Sequence, residues 1–219
     1  MMKWISACLL FAVAAPAGAA GHDVEDLLLH MRNAYKMVKS ATFTATSHIG
    51  ASEFVNSFSF KSPSKIRLEI TSPKTPAFKS PLIKVSDGAS IWMKLPNAPS
   101  ATRMSYSIDN FENSLPVNLE CFCFWDYDRQ LSTARGKNME HSTFKIFKDQ
   151  PWNGKNWIVL EETASQQKIV VKYYVDPKSS LIWRTVVRAD GSAKDTEDSQ
   201  ITKMDTAAHV ADSLFTKPK

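Results

Sequence analysis

Cysteine is scarce in this 219-residue chain: there are three, and Cys8 lies in an N-terminal stretch that reads as a leader. Only Cys121 and Cys123 remain after it. They exclude a multi-bridge disulfide framework, and no Cys/His spacing matches a metal site. The pair reads as two buried apolar thiols or as a local disulfide stiffening its own segment, with redox or thiolate–metal chemistry as the alternative. A ring closed across one residue would be strained and easily reduced. Runs of like charge are also missing. The net charge is +5, but the basic residues are scattered, and no nucleic-acid motif is present. That excludes a nucleic-acid partner and leaves transient contact with an anionic membrane surface. Beyond the N-terminus no apolar run is long enough to span a bilayer.

Reactive constellations are equally thin. His22, His30, His48, His141 and His209 form no paired metal spacing, and no nucleophile motif such as G-x-S-x-G occurs. The neighbouring carboxylates Glu161-Glu162 and Asp126/Asp128 read as solvated pairs. A glycosidase needs its two carboxyls across a cleft, which sequence spacing does not show. No catalytic residue, metal or cofactor is assigned, and the chain is expected not to be an enzyme.

What is present begins with the leader. Met1-Met2-Lys3 supplies one charge, Trp4 to Ala15 is almost continuously apolar, and Ala17-Gly18-Ala19 offers small residues to a signal peptidase. The cut is expected after Ala19, with Ala20 as the alternative, and the product is expected in the periplasm. Too little precedes Cys8 for Ile5-Ser6-Ala7-Cys8 to be a lipidation box. Residues 20–219 read as one domain without internal repeats.

A helix is expected over 23–39, with Asp23 as N-cap and Glu25 and Asp26 at the positive end of its dipole. Val24, Leu27, Leu28, Met31, Tyr35 and Val38 follow helical spacing. The period then becomes two. Thr42-Phe43-Thr44-Ala45-Thr46 alternates, Phe54, Phe58 and Phe60 share a face, and Lys65-Ile66-Arg67-Leu68-Glu69-Ile70-Thr71 alternates unbroken. Asp87-Gly88 between apolar runs predicts a hairpin. About five strands are expected before an aromatic-rich insertion at about 108–134, one of them near 101–107, and about five after it, near 142–148, 156–163, 168–175, 181–189 and 196–204. The insertion reads as one or two short helices. Strands apolar on one face and polar on the other suit a curved antiparallel sheet.

The fold expected is therefore mainly β: an incomplete, strongly curved antiparallel barrel around a hydrophobic cavity plugged by helices. Phe43, Phe58, Phe60, Ile66, Leu68, Ile70, Val85, Ile91, Met93 and Trp183 are assigned to the cavity wall, and Trp92 to the opposite face. Val24, Leu28, Met31 and Tyr35 are assigned to a lid, with Leu119, Phe122, Phe124 and Trp125 as its second part. A closed hydrophobic core is the competing interpretation of the same side chains. Apolar cavities bind hydrophobic ligands with little polar readout, and each buried methylene contributes about 0.8 kcal/mol.

These motifs, in this order, resemble those of the LolA/LolB-like lipoprotein carriers. The resemblance covers most of the chain after the leader. Its elements are the amphipathic helix followed by Ser40-Ala41-Thr42-Phe43-Thr44, the K-x-P strand end Lys61-Ser62-Pro63, the hairpin Ser86-Asp87-Gly88-Ala89-Ser90-Ile91-Trp92, and the terminal Asp212-Ser213-Leu214-Phe215-Thr216-Lys217-Pro218. It implies a helix-lidded half-barrel that holds acyl chains of lipoproteins or lipids and ferries them towards the outer membrane. It further implies a monomer without cofactor, served by an inner-membrane lipoprotein exporter and an outer-membrane acceptor. The carrier branch has an arginine between the lysine and proline of K-x-P. Ser62 stands there and supplies no guanidinium fork, so this lid is expected to be held differently. The same fold also serves envelope-stress sensors, which is the alternative function; an enzyme with a scattered active site is the second.

Overall fold

The computed structural model describes residues 19–78, 80–107, 142–165 and 168–218. Helix α1 (Ala19–Met37) is followed by β1 (Ser40–Ile49), β2 (Ser52–Lys61), β3 (Lys65–Thr71), β4 (Leu82–Asp87), β5 (Ser90–Lys94) and β6 (Thr102–Ser105). After the insertion come β7 (Ser142–Trp152), β8 (Lys155–Ala164), β9 (Ile169–Val175), β10 (Ile182–Ala189) and β11 (Asp195–Asp205). A short 3-10 helix, Asp212–Phe215, lies near the C-terminus.

All the strands form one antiparallel sheet in the order β6-β5-β4-β3-β2-β1-β11-β10-β9-β8-β7. Two meanders are thus joined where β1 pairs with β11. Among the described residues β6 and β7 are the two edges and do not pair, so the sheet is not closed. Ten inter-strand steps of ~4.8 Å would make a flat sheet about 48 Å wide. Yet Ile66 and Ile91 in one meander and Leu160 and Tyr173 in the other belong to a single buried cluster. Only a strongly curved sheet brings them together. Register breaks at Thr44/Ala45, Ile182/Arg184, Val187/Arg188 and Phe147/Gln150 add local twist.

The helix departs from expectation at both ends. Asp23 lies inside α1 rather than capping it, because Ala19 and Ala20, strong helix formers, extend it upstream. It ends at Met37, and Lys39 Nζ donates to the exposed carbonyl of Lys36 at 3.4 Å. Among the described residues six strands precede the insertion, the sixth, β6, at the place expected near 101–107. The assigned insertion at 108–134, including Leu119, Cys121, Phe122, Cys123, Phe124 and Trp125, lies outside the described residues.

The β4–β5 hairpin shows why Asp-Gly is required. Gly88 has φ of 95°, a region L side chains avoid, and an added Cβ would meet Ser64 Oγ at 2.7 Å. Asp87 Oδ1 accepts from the backbone N–H groups of Ala89 and Ser90, both at 2.8 Å.

Candidate functional site: the concave wall and its helix

Cross-strand register decides which residues face inward. One row runs Phe43, Phe58, Leu68, Lys84, Met93; the next runs Ala41, Phe60, Ile66, Ser86, Ile91. Phe43, Phe58, Phe60, Ile66, Leu68, Ile70 and Ile91 are all buried in one cluster. Phe43 and Phe58 stack with ring centroids 4.5 Å apart. Trp183 is half-buried and packs against that cluster. Met93 occupies an inward row but is half-buried and outside the cluster.

Val85 must be reassigned. Its register partners are Arg67 and Trp92, so it faces outward with Trp92 and packs with Val210 and Phe215 in a separate cluster. Strict alternation sends Leu82, Lys84 and Ser86 inward instead. The apolar character of Val85 misled because β4 is buried on both faces. The outer face of that strand is covered by the C-terminal 3-10 helix.

Helix α1 lies against the concave face. Leu27, Met31 and Tyr35 are buried in the wall's cluster, with Val24 and Leu28 partly buried beside them. Tyr35 also fastens the helix: its hydroxyl oxygen accepts the buried backbone N–H of Ile182, at the start of β10, at 3.2 Å. At the other end Lys148 on β7 reaches Asp23 at 3.4 Å. Both of those side chains are exposed, so this pair contributes little. Among the described residues, Leu27, Met31 and Tyr35 fill the space against the wall, and a ligand bound there must exchange places with them.

Polar residues also point inward. Ser47, Ser199, Thr185 and Tyr173 are register partners across β1, β11, β10 and β9, and all are buried. Tyr173 donates to Glu162 Oε2 at 2.8 Å, and Ser142 donates to Oε1 of the same carboxylate at 3.0 Å. Glu162 is therefore a buried, hydrogen-bonded carboxylate and not half of a solvated pair; Glu161 takes the other face, near Lys172 and Arg188. Lys84 is fully buried on the inner face. The sequence signal for these positions was available in the alternation: Asn56 lies midway between Phe54 and Phe58, and Ser47 continues Ala41-Phe43-Ala45.

On the outer face, two of the sequence motifs meet. Lys61 of K-x-P and Lys65 donate to Asp212 Oδ1 of the terminal motif at 2.8 and 3.0 Å. These hydrogen bonds hold the Asp212 carboxyl below its ordinary value. Arg67 donates to the Leu214 carbonyl at 3.3 Å, and Phe215 is buried against Val85. Nearby, Thr42, Ser59, Arg67, Glu69 and Lys203, together with Phe43, Phe58 and Leu214, line an open groove of about 300 Å³. Further along this face, Arg184 forms a two-pronged pair with Asp198, at 2.8 and 2.7 Å. Its guanidinium lies 5.3 Å from the Trp152 ring centre and 5.0 Å from that of Tyr174. The Asp198 hydrogen bonds raise the Arg184 pKa despite partial burial.

Among the described residues no group of His, Cys, Asp and Glu could hold a metal ion, and no helix is long and apolar enough to cross a membrane.

No family profile and no curated protein sequence matches the chain. Solved structures do. MucB is similar over 90% of this chain, at 12% identity and a TM-score of 0.54; the chain spans 63% of MucB's length. An uncharacterized conserved protein from Thermus thermophilus is similar over 90% of this chain and 95% of its own, at 11% identity and a TM-score of 0.59. The Mycobacterium tuberculosis lipoprotein LppX is similar over 85% of this chain and 98% of its own, at 12% identity and a TM-score of 0.50. Likenesses at such identities speak to fold. The chain shares the fold of these structures, an unclosed and strongly curved antiparallel sheet with a helix seated against its concave face.

Proposed function

We propose that this protein binds acyl chains of lipids or lipoproteins between α1 and the concave wall, and ferries them through the periplasm towards the outer membrane without catalysing a reaction. The observation that carries this is the continuity of the cluster: the apolar face of α1 and the inner rows of both meanders form one buried surface. An amphipathic helix over a curved apolar wall is a replaceable plug. Full burial of each of Leu27, Met31 and Tyr35 is worth about 1.5–3 kcal/mol, so these three contribute about 5–9 kcal/mol, to which the partly buried Val24 and Leu28 add. A sixteen-carbon chain at ~0.8 kcal/mol per methylene offers up to about 12 kcal/mol. Exchange of plug for chain is therefore close to balanced, which suits a carrier that must both load and unload.

A second function has its own support. MucB has been solved in complex with MucA from Pseudomonas aeruginosa, so a protein contact could be the output of this fold here as well. The two readings separate on what co-purifies. Mass spectrometry of the protein taken from its native envelope should reveal acylated protein or lipid. Preparations that are consistently empty, and that take up no fluorescent acyl probe, would remove the carrier reading and favour the protein-contact one.

A further inference from the structure

The inward polar residues form a band in which two polar atoms have no hydrogen-bond partner, and this deepens the acyl-binding reading on which it rests. On one side Asn56 Nδ2 meets Ser47 Oγ at 3.1 Å, Ser47 meets Ser199 Oγ at 2.8 Å, and Ser199 meets Glu197 Oε1 at 3.0 Å. The carboxylate only accepts, so the chain has a direction: Ser199 donates to Glu197, Ser47 to Ser199, and Asn56 to Ser47. On the other side Tyr173 donates to Glu162. Thr185 lies between these two segments, the register partner of both Ser199 and Tyr173. It is fully buried, and its Oγ1 has no protein partner. Asn56 Oδ1, at the outer end of the band, is likewise buried and without a partner. An apolar wall needs none of these groups, and a plain hydrocarbon chain laid over them would leave two polar atoms unsatisfied at a cost.

We propose that the polar band is a recognition site for a hydrogen-bonding group inside the acyl ligand. That group is a hydroxyl or amide on or next to the chain, seated at Thr185, with Asn56 Oδ1 as a second acceptor. Thr185 both donates and accepts, so it fits a hydroxyl or either end of an amide; Asn56 Oδ1 takes only a donor. Such a site converts a container selective for length into one selective for chemistry, because a buried polar group left unpaired discriminates more strongly than a methylene does.

The test is displacement of a bound fluorescent acyl probe from the full protein. Palmitate and stearate are compared with 3-hydroxypalmitate, 12-hydroxystearate and N-palmitoylglycine, which separate the hydroxyl from the amide source. At least one polar ligand should displace the probe at about tenfold lower concentration than its plain counterpart, the effect of one satisfied buried bond. Thr185→Val, which keeps the shape and removes the hydroxyl, should erase that preference, so that the polar ligands displace the probe no better than their plain counterparts. Asn56→Leu should do so partially; Thr185→Val decides if that variant fails to fold. If all five ligands displace the probe equally, or if the preference survives Thr185→Val, the band is internal structure and the proposal is overturned while the acyl reading stands. If the probe itself does not bind, both fall.

Discussion

Tyr35→Phe tests whether α1 moves as a lid. The substitution keeps the ring in the cluster and removes the oxygen that accepts the Ile182 N–H. That N–H is buried, so its loss of a partner costs more than an average hydrogen bond: about 1–3 kcal/mol, and about 1.5 kcal/mol for one neutral bond. If α1 lifts from an intact sheet, both groups reach water in the lifted state with or without the substitution. The whole cost then falls on the closed state, and the open population rises about tenfold. A ligand that binds only the open form should load about tenfold faster, with a proportionally lower apparent Kd. Stopped-flow uptake of a fluorescent acyl probe measures the first. Hydrogen exchange measures the opening directly: α1 amides should exchange about tenfold faster, while those of β1, β2 and β9 hold nearer their original rates. A moving lid is refuted if helix and sheet amides accelerate together and uptake is unchanged. In that event α1 comes off only when the whole molecule unfolds, and it is core rather than lid.

Other regions yield narrower expectations. Gly88→Ala should destabilise by about 1–3 kcal/mol in denaturant titration, since it adds a positive-φ penalty to a 2.7 Å approach to Ser64 Oγ. Ser64→Gly in the same chain should recover only the steric part. Asp212 has a lowered folded pKa, so its contribution is present above the ordinary value of 3.8 and disappears as pH falls through the depressed one. Exchange at residues 210–216 should therefore rise on acidification, and Asp212→Asn should flatten that profile; loosening on raising the pH would contradict the assignment. Arg184→Lys loses the fork to Asp198 and the stacking on Trp152 and Tyr174. With both side chains partly exposed, about 1 kcal/mol is expected, accompanied by a change in tryptophan emission; a silent spectrum would place Trp152 away from the guanidinium.

Local chemistry was legible along the chain wherever one physical rule acted alone. Period-two alternation in Lys65–Thr71 placed Ile66, Leu68 and Ile70 together, and they share one buried face. Asp87-Gly88 announced a turn because positive φ is a local requirement. Helical spacing identified the side of α1 that carries Leu27, Met31 and Tyr35. Val85 shows the limit. Hydrophobicity states that a side chain is buried but not which face buries it, and here a segment more than a hundred residues downstream covers the outer one. Glu162 and Thr185 show the same limit from the polar side. Whether a carboxylate is solvated, or a hydroxyl paired, depends on what the neighbouring strands place beside it: Tyr173 on β9 and Ser142 on β7 hold Glu162. Register between strands distant in sequence, the join of β1 to β11 above all, is set by how the two meanders bury one common surface. Alternation turns Asn56 and Ser47 inward, but only that long-range packing sets Ser47 beside Ser199 and Thr185 as a band within an apolar wall.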